Sequence, residues 1–586
     1  MKLSFATLSP SLACTSMHYR TILPLLWSTP KINQSRFKLF ASASNMFHGN
    51  MLHGKKRRSA NYHPTIWNFQ IIDSLSTPYT YELHATQLEE LKHQVRTLLL
   101  DSTKEPYVQL KLIDSIQRLG VAYHFQVEIK ETLMDLSRLD LSVSGDLNTI
   151  ALHFRLLREH GFPVSSGAFD KFCYEDGKFM DNLKEDAKGL LSLYDASHLG
   201  MLGEDALEEA NHFSTKNLKL LLGKLQDNYM AEQVQQALDV PLHWRMLRLE
   251  ARNFINVYEK DDTRNLFLLR LAKLDYNLVQ SVYQGELKEL ARWWKDLGFG
   301  EKLDFARDRL MENYLWAMGM IFEPHFSKSR ISLTKLVCIL TAVDDMYDIY
   351  GSLDELQIFT NAINRWDIGA IEELPEYMKI CYFAIYNFAN ELAYGVMKDS
   401  GSNILPYLKK EWTNLCKSYL VEARWFCSNY TPSLDEYLEN AWISIGGLAA
   451  IVHSYMLLSS KDSMDCLNHV SELIYRSSLI TRLTNDLGTS IAESKRGDVI
   501  KSIQCYMIKE NASEEEAKEH IKGLIRHSWK KLNEGIDNKC SLMNLLCLNM
   551  ARTSQCIFQY GDGIGTSIGI TRDRLTSLII QPISIC

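Results

Sequence analysis

Apolar residues recur at intervals of three and four along nearly the whole chain beyond residue 85. In LEELKHQVRTLLL (88–100) and VQLKLIDSIQRLGV (108–121) they fall on one face of a helix, and Gly120 supplies a stop. TIALHFRLLREHGFPVS repeats the design, punctuated by Gly161 and Pro163. Alternation with a period of two is scarce, and no repeat of about 30 to 45 residues recurs. The pattern predicts an all-α protein of long helices joined by short loops. The charged stretch YEKDDTRN (258–265) is the strongest internal break, dividing an N-terminal helical domain, 57–264, from a C-terminal one, 265–586.

Composition narrows the class further. Thirteen prolines and 29 glycines are few for 586 residues, as long helices require. A net charge of −7 argues against nucleic acid as the main partner, since phosphate binding needs a basic surface. The twelve cysteines form no CxxC pair and no zinc-spaced cluster, so they read as thiols in a reducing compartment. The longest apolar run, WISIGGLAAIVHSYMLL from Trp442, carries Ser444, His453 and Ser454 and is shorter than the roughly 20 residues of a membrane span. It reads as a buried core helix. The N-terminus differs: no Asp or Glu precedes Asp73, while Lys2, Arg20, Lys31, Arg36 and Lys38 lie among many Ser and Thr. That composition is expected of an organelle transit peptide, assigned to 1–56 and excluded from the fold.

Candidate chemistry begins at LVCILTAVDDMYDIYG (336–351). An apolar run ends in Asp344, Asp345 and Asp348, with no basic residue nearby in the sequence to neutralise them. On a helix Asp344 and Asp348 share a face, and Asp345 sits about 100° round. Like charges at that spacing repel unless a cation lies between them. Oxygen-only ligands suit Mg²⁺, which keeps waters and accepts phosphate oxygens from a substrate. In RLTNDLGTSIAESKRGD, Asn485, Thr489 and Glu493 form a second oxygen-bearing stripe, with Arg482 one turn earlier. Two such helices imply a metal cluster gripping a diphosphate from opposite sides. Cationic candidates are Arg307 and Arg309 in FARDRL, and Lys501. On a regular helix the two arginines would point apart, and Arg309 alone reads as a surface charge pairing with Asp304, Asp308 or Glu312.

Together DDMYD, the NDLGTSIAE arrangement, RDR and RRSANYHPTIW resemble the plant class I terpene synthases, and the leader resembles the plastid transit peptide of their monoterpene branch. The resemblance runs from Arg57 to the C-terminus. It implies a C-terminal metal-binding domain holding the active site, and an N-terminal scaffold that is catalytically silent because it lacks DxDD. It implies three Mg²⁺ ions on Asp344, Asp345 and Asp348 at one site and Asn485, Thr489 and Glu493 at the other. Arg307, Arg482 and Lys501 match the diphosphate-binding cations, although Ile500 stands where most relatives have proline. Trp316 and Tyr560 match pocket-lining positions. YGDGIG (560–565) resembles the lid, and Arg57, Arg58 and Trp67 the strand that closes the same mouth.

The implied reaction is ionisation of a prenyl diphosphate and quenching of the allylic cation, by a monomer in the plastid stroma. Isoprene synthases shorten the pocket with Phe at the places held here by Val337 and Thr481, which favours ten-carbon geranyl diphosphate over a five-carbon substrate. RRSANYHPTIW, YDIYGS and NASEEEAKEHIKGLI look most like synthases of acyclic products of the β-ocimene and α-farnesene group. The expected product is an acyclic monoterpene olefin. Linalool, a cyclic monoterpene, or α-farnesene from farnesyl diphosphate are the alternatives within enzymes. A non-catalytic helical scaffold would have no use for the second stripe.

Overall fold

The computed structural model describes residues 57–101, 105–139, 145–459, 467, 470–496, 500–536, 540–565 and 568–585, without the side chains of 491–496. The transit-peptide assignment, 1–56, lies outside them. Among the described residues there is no strand, only a lone bridge between Cys173 and Phe179. The helices read from the sequence are present: 88–100 lies largely in Tyr81–Leu99, and 108–121 in Pro106–Arg118. Gly120 follows the latter at φ +74°, and a Cβ there would come within 2.7 Å of Ala251 Cβ.

Residues 57–586 form one compact unit. A main apolar core runs through both halves of it, and a smaller cluster from Leu147 to Ala237 belongs to the N-terminal half alone. The halves are stitched by Trp244 stacked on Trp529 and by Asn533, which donates to the carbonyls of His198 and Gly200. YEKDDTRN spans the end of one helix, Leu247–Tyr258, and the loop before the next.

That next helix, α1 (Leu266–Leu297), is capped by Asn265 and is the spine of the C-terminal half. Asn277, Gln280 and Gln284 on it donate to the carbonyls of Ile583, Gln581 and Ile579, zipping the C-terminal tail along the helix. Glu286 pairs with buried Arg330 at 2.5 Å and accepts from Tyr314. It thus ties α1 to α2 (Leu310–Met320) and α3 (Ser327–Asp345).

Further along come α4 (Leu353–Arg365), α5 (Leu405–Ser428), α6 (Leu434–Ser444), α7 (Gly447–Leu458), α8 (Ser471–Arg496), α9 (Ser502–Glu510) and α10 (Ser541–Phe558). The apolar run from Trp442 is buried, but it is two helices rather than one. Gly446, at φ +78°, breaks it, because its left-handed backbone favours glycine and a Cβ would meet Leu340 Cδ1 at 2.6 Å. Among the described cysteines, Cys540 departs from the free-thiol reading, being disulfide-bonded.

Candidate active site

A cavity of about 140 Å³ opens between α2, α3, α5, α7, α8 and α10. Its apolar lining includes Trp316 and Met320 from α2, Val337 and Leu340 from α3, and Met550 and Phe558 from α10. The α6–α7 break brings Ser444, Ile445 and Gly446 to its wall. Its polar lining includes Arg307, Asp344, Asp348, Arg482, Asn485, Thr489 and Lys501. Thr481 is not among the lining residues; its hydroxyl turns back to the Ser477 carbonyl, 2.9 Å away.

The end of α3 passes into a single π-helical turn, Met346–Tyr350, closed by the Gly351 amide on the Met346 carbonyl. Such turns are frequent at functional sites. Asp344 and Asp348 both reach the cavity, as their spacing predicts. Asp345 does not. It is buried, accepting from the Arg307 main chain at 2.8 Å and from the Tyr62 hydroxyl at 2.8 Å. Nor are these carboxylates without a basic neighbour: Arg307 Nη2 lies 2.8 Å from Asp344 and 2.9 Å from Asp345. The neutralising charge arrives from a loop about 37 residues upstream in sequence, which no local pattern reveals. Burial opposes the charge on Arg307, but Asp345, Tyr62 and Asp344 outweigh it and raise the guanidinium pKa. Burial pushes the Asp345 carboxyl up, against the pull of Arg307.

From α8, Asn485 and Thr489, one turn apart, also line the cavity. Arg482 hydrogen-bonds Asn485 and pairs with Asp486 at 2.9 Å. Asp486 is fully buried, anchored by Tyr437 at 3.0 Å and the Ser502 amide at 3.2 Å. Lys501, at the start of α9, lies 3.6 Å from buried Glu422, which also accepts from Ser444. Glu493 belongs to α8, and its side chain is outside the described residues.

Two carboxylates, an amide and a hydroxyl are an oxygen-only donor set, which fits Mg²⁺. Among the described residues no three His, Cys, Asp or Glu converge as a protein cage.

Two further segments border the cavity, the N-terminal strap (57–67) through Tyr62 and the loop after α10. In the N-terminal strap, Arg57 makes a two-pronged pair with Glu355 at 2.8 and 3.0 Å and lies over the Tyr350 and Tyr377 rings. Burial works to raise the Glu355 carboxyl, but Arg57, the Ser352 amide and Tyr377 outweigh it and hold it at about 2. Arg58 donates to the Asp348 carbonyl at 3.1 Å and sits over Phe426, while Trp67 packs on the main core. The second segment follows α10. Within it Asp562 and Ile564 line the cavity. Tyr560 does not: it is 61% exposed, with Arg574 over its ring, and borders a different cleft. The chain turns at Gly561, and Phe558 takes the place on the cavity wall.

Arg307 and Arg309 lie in a loop rather than on a helix, so the helical spacing rule does not apply to them, and they have different partners. Arg309 is no surface charge. It is fully buried and donates to main-chain carbonyls. Tyr62 and Glu422 were also not singled out from the sequence. Tyr62 stands inside RRSANYHPTIW, but no spacing rule links a strap residue to α3.

The sequence profile "Terpene synthase, N-terminal domain" matches residues 66–238, and "Terpene synthase family, metal binding domain" matches 295–531. The chain is 64% identical to a probable terpene synthase 9 of Ricinus communis over 94% of both chains. It is 55% identical to a chloroplastic trans-ocimene synthase of Litsea cubeba, over 94% of this chain and 95% of the other. A crystal structure of limonene synthase with 2-fluorolinalyl diphosphate superposes with a TM-score of 0.87 at 41% identity, covering 90% of this chain and 100% of that one. Isoprene synthase from grey poplar (Populus x canescens), in complex with three Mg²⁺ ions and dimethylallyl-S-thiolodiphosphate, gives 0.81 at 42% identity, covering 88% and 99%. With Asp344, Asp348, Asn485 and Thr489 on the lining of one cavity and these relatives along nearly its whole length, the chain belongs to the terpene synthase family, lyases acting on diphosphates.

Proposed function

We propose that the chain is a plastid monoterpene synthase that ionises geranyl diphosphate in a Mg²⁺-dependent reaction and releases an acyclic olefin of the β-ocimene type. The observation that carries this reading is that Asp344, Asp348, Asn485 and Thr489 line one cavity together with Trp316, Met320, Val337, Leu340, Met550 and Phe558. Mg²⁺ held there, with Glu493 as a further ligand, would neutralise the diphosphate and favour its departure. Arg307, Arg482 and Lys501 supply fixed positive charge where the departing diphosphate would gather negative charge, a stabilisation that is strongest away from water. Trp316 and Phe558 offer π-faces that stabilise the allylic cation without attacking it.

Val337 on the cavity lining leaves room for a ten-carbon chain. The 55% identity to a trans-ocimene synthase supports the acyclic product, and the chloroplastic naming of that relative supports the plastid. A domain boundary near residue 264 and a silent N-terminal scaffold belong to the same proposal. The test is product analysis of the full chain with geranyl and farnesyl diphosphates. Ten-carbon olefin from the first is expected; fifteen-carbon product alone would refute the monoterpene reading.

A further inference from the structure

We propose that Arg309 is a positioning residue: it clasps the N-terminal strap to the loop after α10, and so holds the Tyr62 phenol on Asp345 and keeps water out of the cavity. The proposal rests on the terpene synthase reading above and concerns how the closed site is held together.

Arg309 has no exposed surface, and its hydrogen bonds run to main-chain carbonyls of three segments. Nε donates to Ile564 at 2.9 Å, and Nη2 donates to Gly565 at 3.0 Å and to His63 at 2.7 Å. Nη1 donates to Asp308 at 2.7 Å. A guanidinium suits this task because its five N–H groups are fixed in one planar fork, whereas an ammonium is a compact point donor.

Both clasped segments line the cavity: Ile564 and Asp562 from the loop, and Tyr62, next to His63, from the strap. Tyr62 then bonds Asp345 at 2.8 Å, and the Arg307 guanidinium lies 5.1 Å from its ring centre. The single tripeptide Arg307-Asp308-Arg309 therefore meets the strap twice, Arg307 at Tyr62 and Arg309 at His63.

The chemical consequence concerns water. An allylic cation that loses a proton from carbon gives an olefin. One that meets water forms a C–O bond, releases the water proton, and gives an alcohol. A loosened cover admits that water.

The experiment compares the full-length wild type, Arg309→Lys, Tyr62→Phe and the double variant on geranyl diphosphate with Mg²⁺. Each single change is expected to raise the alcohol-to-olefin ratio by about fivefold or more and to lower kcat more than it changes KM. The double variant should be no worse than the more affected single. Unchanged ratios, or effects that multiply in the double variant, would overturn the clasp. Should Arg309→Lys not fold, amide hydrogen exchange of the wild type decides: 57–66 and 560–565 should show matching protection, and a tenfold difference would overturn the proposal. A wild type that makes no product refutes the enzyme reading and leaves the exchange result to judge the clasp. Product with unaltered ratios in the variants refutes the clasp alone.

Discussion

Arg307 reaches Asp344 at 2.8 Å and Asp345 at 2.9 Å, so one guanidinium spans two adjacent carboxylates that have different duties. Asp344 lines the cavity, and Asp345 is buried behind it against Tyr62. Asp344→Ala should therefore cost about 100-fold or more in turnover and shift the Mg²⁺ requirement upward. Asp345→Asn should lower kcat while moving the Mg²⁺ half-saturation point by less than about threefold, since it removes an orienting contact. Mg²⁺ titrations of both variants, with circular dichroism to verify helicity, separate the two roles.

Val337 lines the cavity, and a phenylalanine there would take up part of its volume. Val337→Phe should reduce kcat/KM for geranyl diphosphate by about 10- to 200-fold, the range for a changed hydrophobic pocket. Dimethylallyl diphosphate should be spared. Equal losses on both substrates would show that Val337 does not set substrate length.

The Arg330–Glu286 pair is buried and, with Tyr314, joins α1, α2 and α3. Arg330→Met leaves the Glu286 charge without its partner, at a cost of about 3–5 kcal/mol. Denaturant unfolding should show a loss of that size.

Burial holds His453 neutral, its pKa pushed down to about 3 from an ordinary 6.5. The unfolded chain takes up that proton first, so the associated stability is intact above pH 6.5 and is lost as pH falls toward 3. At pH 5 the loss amounts to about 2 kcal/mol. His453→Asn should flatten the fall in unfolding midpoint between pH 7.5 and pH 5; an unchanged slope would assign the acid sensitivity elsewhere.

What could be read from residue spacing is what lies along one helix. Asp344 with Asp348, and Asn485 with Thr489, are local pairs, and periodicity alone brings each onto one face. Contacts between residues far apart along the chain, from about 20 to nearly 300 positions, carry no such signature. Tyr62 on Asp345, Arg309 on Ile564 and Gly565, and Glu422 between Lys501 and Ser444 emerge only from packing. The break at Gly446 was hidden by the uniform apolarity of its flanks, although two adjacent glycines mark the spot. Tyr560 illustrates the opposite limit: its place in a motif suggested a cavity position, and the turn at Gly561 carries it outside.

The most direct test is simultaneous measurement of diphosphate release and volatile products from the full chain supplied with geranyl diphosphate. Equimolar diphosphate and acyclic ten-carbon olefin are expected, abolished by a chelator and restored by Mg²⁺. Absence of product with Mg²⁺ present, or turnover indifferent to the chelator, would contradict a metal-bridged diphosphate held between Asp344 and Asn485.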